Sequence, residues 1–107
     1  MFKLFSWNVD GRVDEALDRQ AEAPLGEQPH IVCLQEITHG SKPGWREHLA
    51  VAGLTAIASS THLIGPGRRH ANLIAGRWPL GVLPDSEFEI PYPEKVLSAW
   101  WPLPAPR

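Results

Sequence analysis

Phe2-Lys3-Leu4-Phe5-Ser6-Trp7-Asn8-Val9-Asp10-Gly11 and Ile31-Val32-Cys33-Leu34-Gln35-Glu36 are the two stretches that decide how this chain folds. Each is a short, largely apolar run that ends abruptly in polar residues. That is the pattern of a buried strand whose last residue emerges at the rim of a sheet. Ligands of open α/β sheets bind at such rims, beyond the strand ends. The first run delivers Asn8 and Asp10 to its end and the second delivers Glu36, an oxygen-rich set of side chains.

Between the two runs, Val13, Ala16, Leu17 and Ala21 recur at helical spacing over Arg12 to Ala23, while Asp14, Glu15, Asp18 and Arg19 are left for water. Pro24, Gly26 and Pro29 are expected to end this helix and turn the chain into the second strand. A strand-helix-strand unit of this kind places Asn8 and Glu36 on one rim. A polar loop from Thr38 to Ser41 then leads to Pro43, which suits a helix's first turn, with Trp45, Leu49 and Ala52 at helical spacing and Gly53 as the stop. Thr55 to Ser60 and Ala71 to Ala75 read as strands, the latter ending at Arg77, and Gly65-Pro66-Gly67 between them as a tight loop. Pro84 to Glu94 reads as a loop and Lys95 to Trp101 as a strand-like run. Pro102, Pro104 and Pro106 cannot donate to a ladder, so residues 102–107 are expected to form a Pro-rich tail. A truncated or altered end is the first explanation for this tail; a short strap over a sheet edge is the other.

Ser6-Trp7-Asn8-Val9-Asp10-Gly11 followed by Ile31-Val32-Cys33-Leu34-Gln35-Glu36 resembles the first two motifs of the endonuclease/exonuclease/phosphatase superfamily, metal-dependent phosphoesterases that include exonuclease III-like enzymes. Asn72-Leu73-Ile74-Ala75-Gly76-Arg77-Trp78-Pro79-Leu80 is similar to a third family strand, with Gly76 where a serine is usual. The family's later Asp-x-Asn and Asp-His motifs have no counterpart. Thr61-His62-Leu63 has the letters of its Thr-His-Leu strand but precedes the third segment instead of coming after it, so no role passes to His62. The resemblance implies an α/β fold, the N-terminal half of a four-layered α/β sandwich of two sheets flanked by helices. Residues 1–101 would form that partial domain. It also implies that Asn8 orients the nucleophile or the water shell of a metal, and that Glu36 is catalytic as a metal ligand.

The chemistry of the residues leads to a similar place. Magnesium and manganese prefer oxygen donors and often bind through one or two carboxylates, with water and substrate phosphate completing the shell. Glu36 is the first choice as ligand for Mg2+ or Mn2+, with Asn8 beside it and Asp10 able to join only if its loop turns inward. Each has a plainer reading. Asn8 can bond neighbouring backbone at a turn, Asp10 next to Gly11 can shape a turn or cap the helix before Val13, and Glu36 alone can be a solvated charge.

Composition bounds the partners. Across 107 residues, 43% hydrophobic and 21% charged content is ordinary for a globular chain, so disorder is not indicated. A net charge of −2 lends no support to a nucleic-acid partner, whose phosphates demand many cations. Arg68, Arg69 and His70 form the one compact basic cluster; with Arg77 nearby in sequence they are a candidate phosphate contact or simply a solvated loop. His30, His39, His48 and His70 lack metal-like spacing, and Trp7, Trp78, Trp100 and Trp101 are expected to pack rather than to stack on bases. The lone Cys33 excludes an internal disulfide, sits mid-strand as a small hydrophobe, and fits a reducing cytoplasm. No run spans a membrane. Two functions are therefore expected. One is a divalent-metal phosphoesterase acting on a phosphate ester, with the isolated chain weakly active or inactive. The other is a non-catalytic fragment that associates through its exposed sheet edge.

Overall fold

The computed structural model describes residues 2–64 and 69–79, together with the backbone of two short strands at 81–82 and 99–100. In chain order the elements are β1 (Leu4–Asn8), α1 (Asp14–Gly26), β2 (Ile31–Ile37), α2 (Lys42–Val51), β3 (Ala56–Ser59), a 3-10 turn (Thr61–Leu63), β4 (Ala71–Gly76), β5 (Gly81–Val82) and β6 (Ala99–Trp100). The first four strands form one mixed sheet in the order β1-β2-β4-β3, and β5 pairs with β6 as a separate antiparallel ribbon. The chain is thus a small α/β domain. The expected Gly65-Pro66-Gly67 loop, the loop at Pro84 to Glu94 and the tail at 102–107 lie outside the described residues, as does most of the run from Lys95 to Trp101.

Strand directions fix the site. β1 and β2 are parallel, Leu4 facing Ile31 and Asn8 facing Gln35, as a helical crossover requires. β4 runs antiparallel to β2 and also to β3, so β1, β2 and β3 share one direction and end on one rim, where β4 begins. The helix-covered face carries Val32 and Leu34 of β2 and Leu73 and Ala75 of β4, all fully buried. Against them pack Leu17 and Ala21 of α1, four residues apart, and Trp45 and Leu49 of α2, also four apart. Trp45 meets Trp7 edge-on at 6.0 Å between centroids, and both indoles serve as hydrophobes, their N–H groups unpartnered among the described residues.

The sequence-based boundaries need three corrections. α1 does not stop at Pro24 but runs through it to Gly26. In the last turn a proline forfeits only its own N–H bond, and few helical bonds remain to be lost beyond it. Val13 is not on the buried stripe: it precedes the helix in extended conformation and is 42% exposed. The strand expected over Thr55 to Ser60 is trimmed to Ala56–Ser59, and Thr61–Leu63 after it is a single 3-10 turn. α2 ends as expected, because Gly53 at φ +84° closes a Schellman motif in which the Gly53 N–H bonds Ala50 O at 3.0 Å and the Leu54 N–H bonds Leu49 O at 2.8 Å. Leu54 is then fully buried in the core.

Among the described residues no helix is long and apolar enough to cross a membrane.

Candidate functional site

The ends of β1 and β2 are stitched together past the last ladder residues. The Val9 N–H donates to Gln35 O at 2.9 Å and the Gly11 N–H to Glu36 O at 2.8 Å. To make the second bond the chain takes left-handed backbone at Asp10 (φ +53°), Gly11 (φ +60°) and Glu36 (φ +60°). Two further non-glycine residues with positive φ are Asp14, the first residue of α1, and Gln28, just past its end; Asp10, Gly11 and Glu36 lie on the rim. Glu36 also sits where the β2–β4 register slips between Leu34 and Ile37. A bulge of this type re-aims a side chain at a strand end.

Asn8 behaves as its plainer reading expects: its Oδ1 accepts the Asp10 N–H at 2.9 Å. This Asx turn shapes the loop that Gly11 completes. Asp10 does not cap α1, whose N-cap position is Val13 with no side-chain bond. Its side chain is exposed, and that of Glu36 is partly buried. Neither carboxylate has an ion-pair partner among the described residues.

Thr38, read in the sequence only as part of a polar loop, and His70, read there as part of a basic cluster, complete the rim. Thr38 and Ser41 lock each other, the Thr38 N–H donating to Ser41 Oγ at 2.9 Å and the Ser41 N–H to Thr38 Oγ1 at 3.0 Å. The fixed Thr38 leans on Gly11, where an added Cβ would come 3.0 Å from Thr38 Cγ2 and 3.5 Å from His70 Nε2. His70 therefore reaches the rim from the start of β4. The Thr-x-x-Ser spacing after Glu36 was the available signal for Thr38; His70 stands out as part of the basic cluster, but nothing local placed it beside Gly11.

The basic cluster divides. Arg77 is not near Arg69 and His70 but at the far end of β4, roughly 20 Å away by strand rise, with its Nε donating to Pro29 O at 2.9 Å and its backbone N–H to His30 O at 3.2 Å. It belongs to a cavity of about 680 Å³ on the opposite rim, lined also by Lys3, Gln28 and His30. Arg68 lies outside the described residues. Trp78 stacks on His30 at 5.8 Å and Trp7 packs inward, both as expected of packing residues, whereas the side chain of Trp100 and all of Trp101 lie outside the described residues. Cys33 lies mid-strand facing away from the helices, and burial pushes its thiol above the ordinary range.

Among the described residues no three His, Cys, Asp or Glu side chains converge as a closed metal cage. What the rim offers is one partly buried carboxylate, Glu36, an exposed one, Asp10, and the Asn8 amide. That set fits a hard cation that keeps most of its water, as magnesium does, and not a fully protein-ligated ion. Compared with protein-family models, characterised proteins and solved structures, the chain matches none.

Proposed function

We propose that this chain carries the first half of a divalent-metal phosphoesterase centre, with Glu36 as the principal ligand, Asp10 and Asn8 flanking it, and a phosphate ester as substrate. The observation that supports the reading is the clustering of left-handed Asp10, Gly11 and Glu36 around two backbone bonds at the rim. Backbone strain concentrates at functional sites, and a glutamate in left-handed conformation with no ion-pair partner among the described residues is such an outlier. A bound Mg2+ or Mn2+ would polarise the phosphoryl oxygen and offset leaving-group charge. The chain's own residues position: Asn8 shapes the loop through Asp10, and the Gly11 N–H holds the Glu36 backbone. Without the Asp-x-Asn and Asp-His motifs of the family it resembles, turnover is expected to be little or none. The fold would be half of a larger layered α/β structure.

The test therefore reads the metal first. Added Mn2+ should broaden the amide resonances of Asn8, Asp10, Gly11 and Glu36, EDTA should reverse this, and Glu36→Gln should weaken it at least about tenfold, as loss of a charged ligand does. Hydrolysis of bis-p-nitrophenyl phosphate with and without EDTA then measures any residual activity. A folded protein with no Mn2+ effect at the rim, or an unchanged effect in Glu36→Gln, overturns the reading.

A second reading rests on a different observation. The sheet face away from the helices bears Leu4, 52% exposed, next to Phe2, 59% exposed. In this reading the chain is a non-catalytic module that associates through that side of the sheet and its β1 edge.

A further inference from the structure

We propose that the cleft between α2 and β3 is an oxyanion site that takes a phosphate group, free or at the end of a small phosphomonoester. The cleft encloses about 290 Å³ and is lined by Lys42, Arg46, Thr55, Ile57, Ser59 and His62. That volume lies at the small end of ligand pockets. No carboxylate lines it among the described residues, while two fixed cations, a histidine and two hydroxyls do.

The arrangement runs against helix stability, which is the reason to look for a ligand. Lys42 and Arg46 stand four residues apart on one face of α2, a like-charge pair that destabilises a helix. Lys42 also opens the first turn, where the macrodipole disfavours a cation, and that turn contains no acidic residue to offset it. Lys42 is nonetheless anchored, its Nζ donating to Thr61 Oγ1 at 3.3 Å. Ser59 Oγ lies 3.1 Å from Thr61 Oγ1, which extends the hydroxyl row along the cleft wall. Arg46 is exposed at the mouth and has no partner among the described residues. An anion seated between Arg46 and Lys42 neutralises the pair and finds donors on two sides, from the helix and from the edge strand. The cleft is independent of the metal centre, with which it shares no residue.

The experiment is an amide-resolved NMR titration of the full chain in metal-free buffer at fixed ionic strength, with inorganic phosphate in one arm and phenyl phosphate in the other. Saturable shifts confined to Lys42, Arg46, Thr55 and Ser59 are expected with at least one of them, and the tighter ligand names the source. Arg46→Ala, a change at an exposed position, should weaken binding about tenfold. Arg19→Ala on α1 should leave it unchanged. Linear, non-saturating shifts spread over all basic residues, or equal losses in both variants, overturn the proposal.

Discussion

Gly11→Ala is the substitution whose cost the structure specifies most fully. At φ +60° an L-residue with a Cβ costs about 1–2 kcal/mol relative to glycine. The new methyl would also stand 3.0 Å from Thr38 Cγ2, and Thr38 cannot retreat freely because its backbone and hydroxyl are both tied to Ser41. The loop must therefore shift, stretching the 2.8 Å bond from the Gly11 N–H to Glu36 O, which contributes about 1 kcal/mol. The total is about 2–3 kcal/mol, or a melting temperature lower by roughly 10–20 °C for a domain of this size. Thr38→Ser separates the two causes, since it removes Cγ2 and keeps the hydroxyl that Ser41 needs. In the Thr38→Ser background Gly11→Ala should cost about 1 kcal/mol less, a coupling of the kind double-mutant cycles resolve. Urea denaturation of the four proteins gives the numbers. An equal cost in both backgrounds, or a cost below about 0.5 kcal/mol in the first, would refute the account of the rim as a fixed clamp.

Two more outcomes are expected from the geometry. Gly53→Ala places a Cβ at a φ of +84°, so it should destabilise by about 1–2 kcal/mol, and by about as much in an Arg77→Ala background because the Arg77 Nη1 end, 2.7 Å from that Cβ, can swing aside, again read by urea denaturation. Burial raises the Cys33 thiol, so the folded state holds that proton to higher pH than the unfolded chain does. The linked stability is complete below the unfolded thiol's titration and is lost as pH rises through the folded one; iodoacetamide labelling of the native protein should accordingly lag behind that of the urea-unfolded chain at pH 8.

How much of this was legible in the sequence depends on the range of the interactions concerned. β1 and β2 were legible because each buries one face beneath the helices, although β2 runs one residue past Glu36 to the buried Ile37, and the stop at Gly53 because only a left-handed residue closes that motif without strain. The extension of α1 through Pro24 was not, since a proline near a helix end can either stop the helix or ride in its last turn, and the local residues Leu25 and Gly26 do not decide between them. Placing Arg77 with Arg69 and His70 failed for a different reason: closeness along a strand is distance in space, and a six-residue β4 carries its two ends to opposite rims. The insertion of β4 between β2 and β3 is a long-range pairing that no local pattern announces, yet it alone brings His70 to Gly11.

Glu36 is where the local and the functional arguments meet. A bulge that needs left-handed backbone is satisfied with least strain by glycine or asparagine, and a glutamate there costs about 1–2 kcal/mol. Nothing in the packing offsets that cost: the carboxylate is only partly buried, and no cation or hydrogen-bond donor holds it among the described residues. The Gly11 N–H binds the Glu36 carbonyl, a group any residue supplies, so the clamp explains the backbone and not the side chain. What remains to account for the side chain is something outside the described residues that a partly buried, unpaired carboxylate at a strand end would hold. Asn8 does not share that argument, because its amide oxygen already serves the turn. The metal proposal therefore stands on Glu36 first, with Asn8 and Asp10 as the loop that frames it.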